Sequence, residues 1–305
     1  MSGTLSRVDG AAPGHASGLP GIVSDYYELC KPRIIVLLLI TTAAAMAMAA
    51  RGIPNLALVF WTLLGGALAS ASAGAFNCVY DADIDGLMKR TRGRPIPQHR
   101  ISIQSATVFA TAIGVLSFAM LYFLVNPLAA WLSLAGNVYY VAVYTMWLKR
   151  ITPLNIVIGG AAGAVPPLVG WAAVTHTIGG PALGLFALIF LWTPPHFWSL
   201  ALMTELDYDK AKIPMLPNVR GEARTKREII YYSVFLVVAS LALYPLHVMG
   251  PVYFAAAAVL GGLFLLDAVR TWRDAGKTWA RHLFRFSLIY LALMCAIMVI
   301  DRIIA

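Results

Sequence analysis

Between Asn77 and Pro95 the chain reads NCVYDADIDGLMKRTRGRP, three acids and then four strong bases at the end of a long apolar run. Each residue of an α-helix turns by about 100°, so Asn77, Asp81 and Asp85 fall within about 80° of one another, and Asp83 points away. Two carboxylates and an amide on one stripe, facing Lys89, Arg90, Arg92 and Arg94, suit a hard divalent cation and the phosphate oxygens bridged to it. The ligand that fits is a diphosphate. The plain alternative is a solvated helix end whose acids and bases pair with one another, which leaves the one-turn recurrence of the acids unexplained.

A second polar stretch, ELDYDKAKIPMLPNVRGEARTKR from Glu205, has the same order of acids, bases and bracketing prolines. Glu205 and Asp209 are spaced to share a helix face, and Asp207 falls opposite. Any of the three could be a metal-side or phosphate-side group. The basic residues Lys210 and Lys212 follow directly.

The elements that position these loops follow from composition. With 305 residues, 60% hydrophobic and 12% charged, the chain has too little polar surface for a soluble globule. It reads as an all-α integral membrane protein. Windows of about 20 apolar residues match a hydrocarbon core of roughly 30 Å. They predict nine transmembrane helices, near 34–50, 56–78, 104–125, 128–148, 155–175, 182–203, 229–249, 251–269 and 283–301. Four helices separate the two acidic loops, which suggests two related four-helix halves plus one further helix, with the acidic cytoplasmic loops over a central cavity. Residues 1–30, rich in Gly, Ala, Ser and Pro, read as a flexible cytoplasmic tail, with no cleavable signal peptide apparent, and 31–305 as one transmembrane domain.

Bases cluster before the first span and after the second, fourth, sixth and eighth; only Arg51 and Arg302 lie on the other side. The positive-inside rule then places the N-terminus and both long loops in the cytoplasm and the C-terminus outside. The net charge of +9 is a topology signal, and no motif supports nucleic-acid binding. Cys30, Cys78 and Cys295 lack the spacing of a disulfide framework or a zinc knuckle.

Four segments, YYELCKPRI, NCVYDADIDGLMKRTRGRPIP, WTPPHFWSLAL and DYDKAKIPMLP, resemble the membrane prenyltransferases of the 4-hydroxybenzoate polyprenyltransferase superfamily and, within it, the protohaem IX farnesyltransferases. Cys78, the extra Asp83 and the PPHFW segment carry the likeness to the haem branch. The resemblance implies that farnesyl diphosphate binds through Mg²⁺, with Asn77, Asp81, Asp85 and Asp207 on the metal side and Tyr208 beside them. Lys89, Arg90, Arg94, Lys210 and Lys212 would meet the diphosphate. The superfamily carries a second Asp pair at four-residue spacing, and here Ala211 follows Asp207, so a symmetric two-metal site is in doubt.

The implied chemistry is ionisation of the allylic diphosphate, attack by a vinyl group of haem b, and capture of the porphyrin-side cation by water. No nucleophilic Ser or Cys is needed, and no nucleophile-base constellation is present. His196, in PPHFW, is the candidate haem-binding residue; a satisfied structural histidine is the bland alternative. The implied partners are farnesyl diphosphate, haem b, membrane lipid, and haem A synthase or terminal oxidase assembly factors. The implied place is a bacterial inner membrane. The rivals are a transporter, a structural membrane subunit, and a sister enzyme acting on a quinone or chlorophyll precursor. A transporter would hold its acids at the bilayer centre.

Overall fold

Prolines and short polar residues punctuate the apolar runs, and helices begin where they stand. Pro32, Pro127, Pro166, Pro181 and Pro251 each occupy a first turn, where a missing N–H costs nothing. Asn55, Ser102 and Asn126 cap their helices by accepting from the N–H groups of Leu58, Ser105 and Ala129 at 3.1, 3.0 and 2.9 Å.

The computed structural model describes residues 19–304, which are helical with no strand among them. The elements are α1 (Leu19–Leu29), α2 (Pro32–Ala50), α3 (Leu56–Tyr80), α4 (Ala82–Asp85) and α5 (Ile103–Leu124). Then α6 (Pro127–Val138) continues through a π-helix (Tyr139–Leu148) into α7 (Lys149–Ile151), followed by α8 (Asn155–Ala164), α9 (Pro166–Thr175) and α10 (Gly180–Met203). The chain ends with α11 (Glu205–Lys210), α12 (Leu216–Arg220), α13 (Glu222–Ala242), α14 (Pro251–Arg273) and α15 (Thr278–Ile304).

Among the described residues seven helices are long and apolar enough to cross a membrane, with α8 and α9 counted as one span, against the nine expected from the sequence. The expected span 128–148 is α6 plus the π-helix, and only 12 residues of it are α-helical before the wider turns begin. The expected span 229–249 is α13, shifted toward the charged loop so that its first turns carry Glu222, Arg224, Lys226, Arg227 and Glu228. Of the segment expected to be an open tail, Leu19–Leu29 forms α1, with Leu29 buried and Tyr26 against Phe109, ring centroids 4.8 Å apart. Residues 1–18 of that tail lie outside the described residues.

The helices pack through small residues and buried hydroxyls, as expected where lipid offers no hydrophobic drive between helices. Ser72 donates to the Ala110 carbonyl at 2.8 Å and Ser117 to that of Gly65 at 2.7 Å, tying α3 to α5. Such bonds contribute about 0.6 kcal/mol each on average. Gly170 lets α9 approach α2 so closely that a Cβ there would sit 2.3 Å from the Thr42 carbonyl oxygen. In α10, Pro194 and Pro195 remove two backbone donors without breaking the helix, and Ser199 takes up the Pro195 carbonyl at 2.6 Å. Trp192 donates to the Ser287 carbonyl at 2.8 Å and locks α10 to α15.

Candidate active site

The first acidic segment keeps its helical spacing across a break. α3 ends at Tyr80, yet Asp81 N–H still donates to the Asn77 carbonyl at 2.9 Å and Asp85 N–H to that of Asp81 at 2.8 Å. Asn77, Asp81 and Asp85 therefore turn inward together and are 5%, 0% and 0% exposed. Asp83 turns outward, its side chain 61% exposed. Asn77 Nδ2 donates to Asp81 Oδ2 at 2.8 Å and lies 3.2 Å from Thr145 Oγ1 of the π-helix.

Lys31, Lys149 and Arg150, which in the sequence read only as topology signals, surround these acids together with Arg94, a diphosphate candidate. Lys149 pairs with Asp81 Oδ2, and Lys31 donates to Asn77 Oδ1. Arg150 forks onto Asp83 at 2.7 and 2.8 Å, stands 3.8 Å from Asp81 and covers the Tyr80 ring at 4.6 Å. The Arg150 hydrogen bond, and the charge behind it, hold the Asp83 carboxyl below its usual range. Arg94 binds Asp85 Oδ2 at 2.6 Å. A signal for Lys149 and Arg150 was present in the sequence: two bases directly at a helix end on the side of the acids. Thr145 gave none, because its place depends on the π-helix, whose wider turn is a recurrent feature of functional sites.

Lys31, Asn77, Asp81, Thr145 and Lys149 thus form one group, and Asp85 with Arg94 adjoins it in sequence and on the same inward face. Lys89, Arg90, Lys210 and Lys212 are exposed, and the side chains of Lys89 and Arg90 have no ion pair among the described residues. Residues 86–102 run as turns, and Arg94 is held by Asp85 while Arg90 stays open.

The second loop closes onto the first. Asp207 Oδ1 accepts from Lys89 N–H at 3.2 Å, and Tyr208 is buried in a cluster with Ile84 and Met88 from the first loop. Tyr144 and Phe197 pack against that cluster. Glu205 is drawn to Lys277 at 3.5 Å, and Asp209 is exposed. Asp207 therefore joins the two loops, whereas Glu205 and Asp209 do not.

His196 is 9% exposed and stacked between Trp192 and Phe284, with ring centroids at 4.3 and 4.7 Å and planes within 16° and 22°. Its Nδ1 lies 2.7 Å from the Ser287 hydroxyl. Both faces of the ring are covered, so it serves as a fixed part of the α10–α15 contact.

Whether the acids suit a metal is decided by their free oxygens. Asp81 Oδ1 and Asp85 Oδ1 are fully buried with no hydrogen-bond partner among the described residues. An orphaned, buried carboxylate oxygen is costly, and a bound cation would offset that cost for two of them on one inward face. No group of three or more His, Cys, Asp or Glu is poised for a metal among the described residues. The donor set is then two carboxylates and the Asn77 amide, which fits Mg²⁺, an ion that keeps several waters and takes phosphate oxygens as ligands.

An all-helical membrane domain with paired acidic loops at one end of its bundle defines a class. Residues 38–291 match the UbiA prenyltransferase family, and the chain belongs to that family and is an integral membrane protein. It is 55% identical to a protoheme IX farnesyltransferase of Synechocystis sp. over 92% of this chain and 89% of the relative. With the protein of the same name from Gloeobacter violaceus it is 52% identical over 98% and 97%. The fold matches a digeranylgeranylglyceryl phosphate synthase with a TM-score of 0.77 at 17% identity, covering 93% of this chain and 99% of that one. It also matches a UbiA homolog from Archaeoglobus fulgidus bound to GPP and Mg²⁺, with a TM-score of 0.64 at 19% identity, covering 90% and 99%.

Proposed function

We propose that this protein transfers a farnesyl group from farnesyl diphosphate to a vinyl group of haem b, with addition of water, in an Mg²⁺-dependent reaction. The observation that carries the choice of acceptor is the likeness at 55% identity, over nearly the full length of both chains, to a protoheme IX farnesyltransferase. The buried oxygens of Asp81 and Asp85 that lack a hydrogen-bond partner among the described residues support the diphosphate half of the reading.

Asn77, Asp81 and Asp85 would hold the metal, with Asp207 fixing the second loop over it. Mg²⁺, when bound, supplies charge neutralisation of the diphosphate as its C–O bond breaks. Lys89, Arg90, Lys210 and Lys212 present open cations to the same leaving group, whose charge develops only in the transition state. The bonding pair departs with diphosphate, the vinyl carbon attacks the allylic cation, and water captures the resulting porphyrin-side cation with loss of a proton. The Tyr144 ring, packed on the Ile84, Met88 and Tyr208 cluster and 5.3 Å from that of Tyr140, offers a π-face where the allylic charge forms. Lys149 pairs with Asp81 and Lys31 with the Asn77 amide, which fixes the orientation of both.

A run of contacts joins the basic segments at one end of the bundle: Lys31 to Asn77, Arg150 to Asp83, Lys89 to Asp207, Lys277 to Glu205, and Lys226 to the Asp274 carbonyl. This end is the cytoplasmic one in our reading, with α6 plus the π-helix and α13 completing nine spans, and the cell inner membrane as the location. Incubation with haem b, farnesyl diphosphate and Mg²⁺ should yield a farnesylated, hydrated haem by mass spectrometry. Prenylation of a quinone or chlorophyll precursor with haem untouched would overturn the acceptor and leave the family assignment standing.

A further inference from the structure

At the basic end of α14, Asp267 is buried with its side chain 6% exposed, an expensive place for a carboxylate in a membrane helix unless it is paired or has a task. Its Oδ2 lies 2.7 Å from His282 Nδ1 on α15, and its Oδ1 stands 3.6 Å from Arg270. The histidine is not buried with it. Its side chain is 57% exposed, and Nε2, on the opposite edge of the ring, meets no hydrogen-bond partner among the described residues. A carboxylate behind Nδ1 fixes the tautomer and the ring orientation and makes Nε2 a better ligand, the arrangement that supports metal-bound histidines. Trp279 and Phe286 brace the ring, with centroids at 5.1 and 6.5 Å, and Arg270 covers Trp279 at 4.6 Å.

The surroundings suit a flat, amphipathic ligand. Phe286, Ile289 and Leu293 continue the His282 stripe down α15 at helical spacing, and Ile289 and Leu293 are exposed. Arg281 and Arg285 stand beside His282 on α15, and Arg270 and Arg273 end α14. An apolar shelf below an oriented imidazole, with guanidinium groups at the rim, matches a porphyrin whose iron takes a histidine and whose two carboxylates take arginines. His196 lacks such an opening, being 9% exposed where the His282 side chain is 57% exposed. α15 keeps the two histidines apart, its Phe284 and Ser287 on His196 and its His282 facing outward.

We propose that His282, oriented by Asp267, ligates the iron of haem at a docking site on the outer face of the α14–α15 hairpin, where the porphyrin is held before or after prenyl transfer. This rests on haem being the acceptor. The test titrates haem, without farnesyl diphosphate, into the full-length protein in lipid nanodiscs. Affinity is read by absorbance and the iron–histidine stretch by resonance Raman of the ferrous form. Wild type should show histidine ligation. His282→Ala should weaken binding at least tenfold and abolish the stretch, with thermal unfolding checked to show an intact fold. Asp267→Asn should keep the ligand but lower the stretching frequency, and His196→Ala should leave that frequency unchanged. A wild type with no histidine-ligated haem overturns the proposal, as does an unaltered spectrum in His282→Ala, an unaltered frequency in Asp267→Asn, or loss of ligation in His196→Ala alone. Product formation in the transfer assay would uphold the acceptor assignment in each of those cases, so the two readings fail separately.

Discussion

Replacing Asp85 with Asn changes one atom of the candidate site and separates its two roles. The carboxylate is buried, with Oδ2 on Arg94 at 2.6 Å and Oδ1 unpartnered. Asn keeps the shape and one acceptor for Arg94 but removes the charge. Breaking a fully buried ion pair costs about 3–5 kcal/mol. Arg94 is 18% exposed and reaches water, so the loss of stability should lie at or below about 3 kcal/mol, within what a domain of this size tolerates. Loss of a preorganised electrostatic group should lower turnover by about 10²–10³, or 2.7–4 kcal/mol of activation energy. The assay is initial-rate transfer at limiting and saturating Mg²⁺, with thermal unfolding in the same detergent. The rate should fall steeply, and more metal should recover only part of it. Adding Arg94→Met should restore stability and not activity, because it removes the unpaired guanidinium without returning the carboxylate charge that holds the cation. Turnover within about threefold of wild type at limiting Mg²⁺, about 0.7 kcal/mol, would refute the reasoning.

Arg90 is open to the solvent, and Lys in its place offers a point charge where the guanidinium offers a fork. Arg90→Lys should raise KM for farnesyl diphosphate about tenfold, about 1.4 kcal/mol, and leave haem affinity unchanged by spectral titration. Gly159 faces Tyr144 so closely that a Cβ would meet its Cδ2 at 2.2 Å. Gly159→Ala should displace that ring and cost about 1–3 kcal/mol of stability, read as a fall in unfolding temperature with reduced turnover; an unchanged protein would show that Tyr144 moves freely. Burial of the Lys31 ammonium pushes its pKa down from 10.5 to about 8. Between those values the unfolded chain holds a proton that the folded chain has released, so this group makes stability rise with pH from about 8 to 10.5. Lys31→Met should remove that component from the pH dependence of denaturation, and an identical pH profile would contradict it.

The four-residue steps from Asn77 to Asp85 determine by themselves that these side chains share a face, because i→i−4 hydrogen bonds survive the break at Asp81. The apolar runs likewise determine the helical, membrane-embedded architecture, and their prolines mark where α2, α6, α9, α10 and α14 begin. Local spacing could not show that Arg94 turns back to Asp85 while Arg90 stays open, because residues 86–102 follow turns, where helical periodicity carries no information. Nor could it show that Lys149 and Arg150, 64 or more residues from the acids in sequence, supply their counter-charges. The contrast between the two histidines is of the same kind. His196 sits in the distinctive motif, yet its exposure is set by rings from α10 and α15. His282 sits in an unremarkable stretch and gains its orientation from a carboxylate 15 residues away on the neighbouring helix. Periodicity along one helix is written in the sequence; the partner across a helix–helix contact is chosen by packing, and only the tertiary structure decides it.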